Sequence, residues 1–276
     1  MSLNHPVNLA YEAATADLND VNLIDNFHLK KYGVKAVNYN RDIETFPILK
    51  NILKKVLKKN IYYSPTDMGV NMIGFCITNN KAVEEASKKE IVRRYYNELN
   101  NFKMGLCDED TFKKVKHLME KLDINENILE VVKPALDKKE KENGTPVIAM
   151  KVGRKIITGK QSELMTAPGA AIINTIKYLS KIPDDIHLLS PTVLEPILKL
   201  KKEMNSGNRL LLSEVLTALS ICSVTNPLAS KALSFLPEVK NAEAHSTYII
   251  TGNDKITLKE LKINVTCENE FLEEEI

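Results

Sequence analysis

The chain has 276 residues, 43% of them hydrophobic and 27% charged, with 38 Lys plus Arg set against 36 Asp plus Glu. That length suits one large or two ordinary domains, and the near-neutral balance excludes a globally basic nucleic-acid coat and gives no membrane-surface signal. Tryptophan is missing and aromatic residues make up only 6%, so a core has to be built from Leu, Ile, Val and Ala.

Residues 1–80 are polar and mixed. A short helix is predicted over 8–18, where Leu9, Ala13 and Ala16 fall at helical spacing, and a short strand over 35–38 after the Gly33 break. An amphipathic helix is predicted over 43–59. Its apolar face is Phe46, Leu49, Leu53, Val56 and Leu57, and its polar face carries Lys50, Lys54, Lys55, Lys58 and Lys59. Pro47 sits in its first turn, where a missing N–H costs nothing.

Residues 81–143 read as helical. The first helix is expected over 82–102. Asp108 caps a second, with Glu109 and Asp110 complementing the dipole at its start. A third is expected over 125–142, kinked or split by Pro134 and ended by Asn143-Gly144.

Residues 144–276 alternate strands with helices. A β-hairpin is predicted from 146–152 and 155–158 around Gly153-Arg154. A helix opened by Pro168 follows, then a strand over 186–189 and a helix over 191–203. Ser213 is expected to cap another helix through about Val224, and Asn226-Pro227 starts one more. Strands over 245–250 and 263–266 flank a short helix near Leu258, and the tail at 273–275 is expected to fray. The alternation predicts an α/β fold: a layered sheet with flanking helices in 144–276, preceded by a helical middle segment over 81–143.

No apolar run approaches the ~18 residues that a membrane span requires. The start lacks the basic-then-apolar order of a secretory leader. The four cysteines, Cys76, Cys107, Cys222 and Cys267, form no Cys-x-x-Cys pair and read as reduced thiols, so a cytoplasmic location is expected. The Walker, dinucleotide-binding, zinc-protease and nucleophile-elbow patterns are all missing. The histidines His5, His28, His117, His187 and His245 show no metal-ligand spacing.

The richest constellation is Val37-Asn38-Tyr39-Asn40-Arg41-Asp42-Ile43-Glu44, at a predicted strand-to-helix junction. Such junctions at strand carboxyl ends are where open α/β sheets hold ligands. Arg41 could clamp a phosphate or carboxylate there, with Asn38 and Asn40 orienting it. Equally, Asn40 could cap the helix while Asp42 and Glu44 complement its dipole. Ser64-Pro65-Thr66-Asp67-Met68-Gly69-Val70-Asn71 is a second candidate. Asp67 could serve as general base or Mg²⁺ ligand, with Thr66 and Asn71 binding substrate, or the loop could be an Asx-turn satisfying its own backbone.

Asn8, Tyr11, Glu12 and Thr15 share one helix face, which reads as solvated unless it lines a cleft. Thr158-Gly159-Lys160-Gln161-Ser162 resembles a fragment of a phosphate loop. Lys160 and Ser162 could contact an anion, or the segment is a plain strand-to-helix turn. His245 opens a predicted strand, where a structural role is the simpler reading. The lysines of 50–59 read as a solvated face; they lack the interleaved aromatics of a nucleic-acid surface, so nucleic-acid binding through them ranks last among the readings.

These segments, with His5-Pro6-Val7-Asn8-Leu9-Ala10-Tyr11-Glu12, resemble a bacterial conserved family, domain of unknown function 1846. The resemblance continues through Ser162-Glu163-Leu164-Met165, residues 187–196 and 214–220, Asn226-Pro227 and His245-Ser246-Thr247, and so covers nearly the whole chain. It implies a cytosolic protein of no established activity. It also implies that members extend upstream with a Gly-Ser-Gly-Lys segment resembling a phosphate-binding loop, which this sequence lacks. Residues 1–80 are then expected to be the C-terminal part of a nucleotide-binding-like α/β domain, and the chain a shortened form.

Two readings follow. In the first, the chain is part of a phosphate- or nucleotide-dependent enzyme using Mg²⁺ and a small phosphorylated ligand. Arg41 and Asp67 act in catalysis, and Asn38, Asn40, Thr66, Asn71, Lys160 and Ser162 bind substrate. In the second, it is a non-catalytic binding module or homo-oligomeric scaffold.

Overall fold

The computed structural model describes residues 52, 54–58 and 80–272. The helix expected over 8–18, the strand over 35–38, most of the helix over 43–59, the loop 64–71 and the tail 273–275 lie outside the described residues. Of the 43–59 helix, residues 54–57 are helical, and Val56 and Leu57, expected on an apolar face, are exposed.

The chain divides into two compact units, Met1–Ile128 and Leu129–Ile276. In the first, α1 (Asn80–Lys103) packs on α2 (Glu109–Leu122). Ile91, Val92, Tyr96 and Asn100 repeat at helical spacing along the buried face of α1, and Val115 and Met119 do so on α2. The Phe102 and Phe112 rings meet at 5.2 Å between centroids. Asp108 is the N-cap of α2 by position, with Glu109 and Asp110 in the first turn, as expected. Asp123 closes α2 in the left-handed conformation, and the next N–H, from Ile124, donates back to Met119.

The second unit is built on a four-stranded sheet in the order β2-β1-β3-β4. Its strands are β1 (Val147–Val152), β2 (Lys155–Lys160), β3 (Glu243–Ser246) and β4 (Asn264–Cys267). β1 runs antiparallel to both β2 and β3, and β3 runs parallel to β4. β2, β3 and β4 therefore point the same way, and their carboxyl ends share one sheet edge. The hairpin turns at Gly153-Arg154 as the sequence predicts. Gly153 has φ +58°, the positive angle that the first central residue of a type II′ turn requires.

Pro134 splits the segment 125–142. A 3₁₀ turn at Glu126–Ile128 precedes α3 (Val132–Lys141), and the proline lands in the first turn of α3, where no helical partner for its N–H is missed. Although it belongs by sequence texture with the helical segment 81–143, α3 lies across β1, β2 and β3. Asn143 and Gly144, both at positive φ, end it.

On the opposite face lie α4 (Ala167–Leu179), α6 (Leu212–Ser223), α7 (Pro227–Ser234) and α8 (Gly252–Glu260), with α5 (Pro191–Glu203) against α6. Ile148, Met150 and Ala244 point into that layer and join Ile172, Ile176, Leu219 and Leu258 in one core. Their neighbours Val147, Ala149 and His245 alternate to the α3 face. Each of these helices was legible as an element, and Asn226 caps α7 by accepting from the Leu228 and Ala229 N–H groups.

Three expectations are corrected. Residues 186–189 form no strand. They pack as a loop between α4 and α5, and the Lys177 ammonium binds the Asp184 and Ile186 carbonyls at 2.7 and 2.8 Å. A short apolar run signals burial, not pairing. The strand expected over 245–250 begins two residues earlier and leaves the ladder after Ser246; the Ile249 N–H instead donates to Glu270. Finally, Ser213 does not cap α6. Its start is set by two carboxylates described below.

Candidate functional site

Asn38, Asn40, Arg41, Thr66, Asp67 and Asn71 lie outside the described residues. So does the Mg²⁺ role expected of Asp67. Among the described residues, no group of three or more His, Cys, Asp or Glu side chains gathers as metal ligands.

Lys160 and Ser162 are described, and the structure brings them to one cleft. Thr158, Gly159 and Lys160 are the last residues of β2, not a phosphate loop. Gly159 is required by packing, since a Cβ there would stand 2.1 Å from the Ala171 backbone nitrogen. Ser162 Oγ accepts from the Leu164 and Met165 N–H groups, which shapes the turn into α4. Lys160 reaches Glu142 at 2.6 Å, and Lys138 reaches the same carboxylate at 2.7 Å. Hydrogen bonds from Lys138 and Lys160 hold the Glu142 carboxyl down at about 2.

The cleft has a volume of about 560 Å³, within the roughly 300–1,000 Å³ range of small-molecule sites. One wall is a stripe of α4, Ala170, Ile173, Asn174 and Lys177, at i, i+3, i+4 and i+7. Its floor is apolar, from Leu164, Met165, Leu188 and Leu194. The polar groups on it are Lys160, Ser162, Asn174, Lys177, Asp184 and His187.

Lys177 is buried, yet its ammonium has three N–H donors and only two acceptors among the described residues, the loop carbonyls already named. One donor has no acceptor among the described residues. Sequence reasoning missed Lys177 and His187. A signal existed for the first: Lys177 is the single charged residue in Ala167–Leu179, and a charge in an otherwise apolar helix needs either a partner or a task.

A buried polar knot lies where α5, α6 and α8 meet. Lys201, 5% exposed, binds both oxygens of Glu214 at 2.8 and 2.6 Å. Glu214 also accepts from the Leu211 N–H at 2.7 Å, and Asp254 accepts from the Leu212 N–H at 2.6 Å. Burial raises the Asp254 carboxyl pKa, and the nearby Glu214 adds to the rise. The Thr166 hydroxyl lies close enough to oppose that rise but makes no hydrogen bond of normal geometry. Its charged groups are turned on one another and on the backbone at the start of α6.

His245 is 0% exposed on β3. Its Nδ1 lies 2.8 Å from Thr266 Oγ1, its register partner on β4, and its Nε2 lies 3.0 Å from Glu268. This is the structural role its strand position suggested. Burial pushes the neighbouring Cys267 thiol up to about 11, which disfavours its thiolate at neutral pH.

Family comparison gives two matches: domain of unknown function DUF1846, N-terminal, over residues 1–123, and domain of unknown function DUF1846, C-terminal, over residues 127–276. The chain is 49% identical over 285 residues to a UPF0371 protein of Clostridium botulinum (strain Eklund 17B / Type B), covering 99% of this chain and 57% of that protein. It is also 49% identical over 284 residues to a UPF0371 protein of Fusobacterium nucleatum subsp. nucleatum, covering 98% of this chain and 56% of that protein. The chain thus spans a little more than half the length of these curated relatives.

Proposed function

The chain belongs to the DUF1846 family, and from that premise we propose that it serves a phosphate- or nucleotide-dependent enzyme, its Leu129–Ile276 unit holding a small phosphorylated ligand. The observation that carries this reading is the buried Lys177 ammonium, with a donor to spare, on the wall of a cleft that Lys160 also lines. Lys160 is held by Glu142, so the spare donor of Lys177 is what favours an anion, and the apolar floor suits the body of an organic ligand. A ligand anion at Lys160 shares that ammonium with the Glu142 carboxylate or displaces it. For Arg41 the same reading proposes neutralisation of phosphate charge, and for Asp67 the part of general base or Mg²⁺ ligand. Asn38, Asn40, Thr66 and Asn71 are proposed to orient substrate.

Isothermal titration with inorganic phosphate, AMP and ATP, with and without Mg²⁺, tests it. At least one phosphate compound is expected to bind, more weakly at high salt, with Lys160→Ala lowering the affinity about tenfold. No heat with any of them, or no response to Lys160→Ala and salt, removes the reading.

One observation favours the scaffold alternative. Ile221, Val224 and Leu228 form an apolar run at the α6–α7 junction, with Val224 84% exposed, as an interface between copies would need. A monomer in light scattering at all protein concentrations discards that alternative. No helix among the described residues is long and apolar enough to cross a membrane.

A further inference from the structure

A second cleft opens at the sheet edge where β2, β3 and β4 end. It has a volume of about 480 Å³ and is lined by residues that follow each of those ends: Gln161 after β2, Thr247 and Tyr248 after β3, and Glu270 and Phe271 beyond β4. Asn143, at the end of α3, completes it. The carboxyl edge of a sheet with parallel strands is the usual ligand side of α/β folds.

Its chemistry differs from that of the Lys160–Lys177 cleft. Its one cation, Lys139, is ion-paired with its one carboxylate, Glu270, so the walls carry no net charge. An anion or a cation gains little there. Among the rest of the lining, the groups that can meet a ligand are the Phe271 ring, the Asn143 and Gln161 carboxamides and the Thr247 hydroxyl. Thr247 is 1% exposed, and its Oγ accepts from the Val147 N–H at 3.0 Å. Among the described residues, nothing takes the hydroxyl's own hydrogen, which leaves a donor at the cleft floor. Asn143 and Gln161 each offer both a donor and an acceptor, while the half-buried Phe271 offers flat apolar surface for stacking.

We propose that this cleft binds an uncharged, planar heteroaromatic ring with a hydrogen-bonding edge, of the nucleobase class. The ring stacks on Phe271, its acceptor edge takes the Thr247 hydroxyl, and Gln161 and Asn143 read the remaining heteroatoms. The site is separate from the proposed phosphate cleft and does not depend on it.

The test is calorimetric titration of the whole chain with adenosine, guanosine, cytidine and uridine at low and high salt. Binding of at least one nucleoside is expected, with affinity insensitive to salt. Gln161→Ala and Phe271→Ala should each weaken it about tenfold, and Lys160→Ala, in the other cleft, should leave it unchanged. Both altered side chains are half-buried at the rim, and matching melting curves show that the variants fold. Thr247→Val is the sharper variant, but it also removes the Val147 N–H acceptor, so it is read only if its melting curve is intact. The proposal fails if no nucleoside binds, or if binding ignores both Gln161→Ala and Phe271→Ala. It also fails if binding weakens with salt and with Lys160→Ala, which would place the ligand in the phosphate cleft.

Discussion

Asp254 takes the place that a serine normally holds at a helix start. It sits in the first turn of α8, 5% exposed, and its Oδ1 meets the Leu212 N–H at 2.6 Å. Local sequence points to Ser213 as the cap because short hydroxyl side chains usually fill that role. A partner 42 residues downstream leaves no local signal, and neither does the Lys201–Glu214 pair, whose lysine is buried from the far end of α5. Burial raises the Asp254 carboxyl pKa above its ordinary value, and Glu214 pushes the same way, while the Leu212 N–H and Lys201 oppose them. The folded chain therefore takes up a proton at higher pH than the unfolded chain does. The stability contributed by this group is present in full below the ordinary aspartate range, near ~3.9, and is lost as pH rises through the folded value. Asp254→Asn keeps an oxygen for the Leu212 N–H and removes the titrating charge. Its melting temperature should show a flatter pH dependence between pH 4 and 7, with stability at neutral pH within about 1 kcal/mol of the parent. A steep loss at neutral pH would mean that the charge, and not the acceptor, holds α6.

At the scale of elements, period and punctuation were enough to find the helices of 80–260 and the hairpin. Pro168, Pro191 and Asn226-Pro227 marked helix starts, and Gly153-Arg154 marked the turn. What they could not give was pairing. The apolar run 186–189 fills the gap between α4 and α5, and the β3 ladder ends at Ser246 because the chain turns towards Glu270. The Thr158-Gly159-Lys160 segment makes the same point from the other side. Its glycine is a close contact between β2 and α4, which the sequence does not announce. Gly159→Ala would press a methyl against the Ala171 backbone, at 2.1 Å from nitrogen and 2.4 Å from Cα. Backbone cannot move aside as a flexible side chain can, so strand and helix must separate. A loss of about 3 kcal/mol or more is expected, read as a lower denaturant midpoint. The small-to-small change Ala170→Gly, on the neighbouring α4 residue, should cost only about 1 kcal/mol. A Gly159→Ala loss no larger than that would show the contact to be looser than the structure has it.

At the scale of the molecule, the partition at Ile128/Leu129 makes α3 part of the sheet unit, although composition groups it with the helices before it. Amphipathic helices look alike in sequence whether they cover a sheet or one another, so only packing assigns α3. Leu129, Val131, Val132 and Ala135 are all at most 3% exposed, and α3 lies across β1, β2 and β3. Burying the three larger side chains contributes roughly 1.5–3 kcal/mol each. That sum is comparable to the whole stability of an ordinary domain, about 5–15 kcal/mol. Two fragments separate the boundaries. Residues 129–276 carry the sheet, both clefts and α3, and should melt in one cooperative transition with dispersed amide resonances. Residues 144–276 keep every strand but lose α3, uncovering the face that holds Val147, Ala149 and His245. That fragment should melt without cooperativity and bind a hydrophobic dye. If the shorter fragment folds as sharply as the longer one, α3 is a rider on the sheet and the unit begins at the hairpin. If neither folds, the sheet needs residues before Leu129, and the division at that point is not a folding boundary.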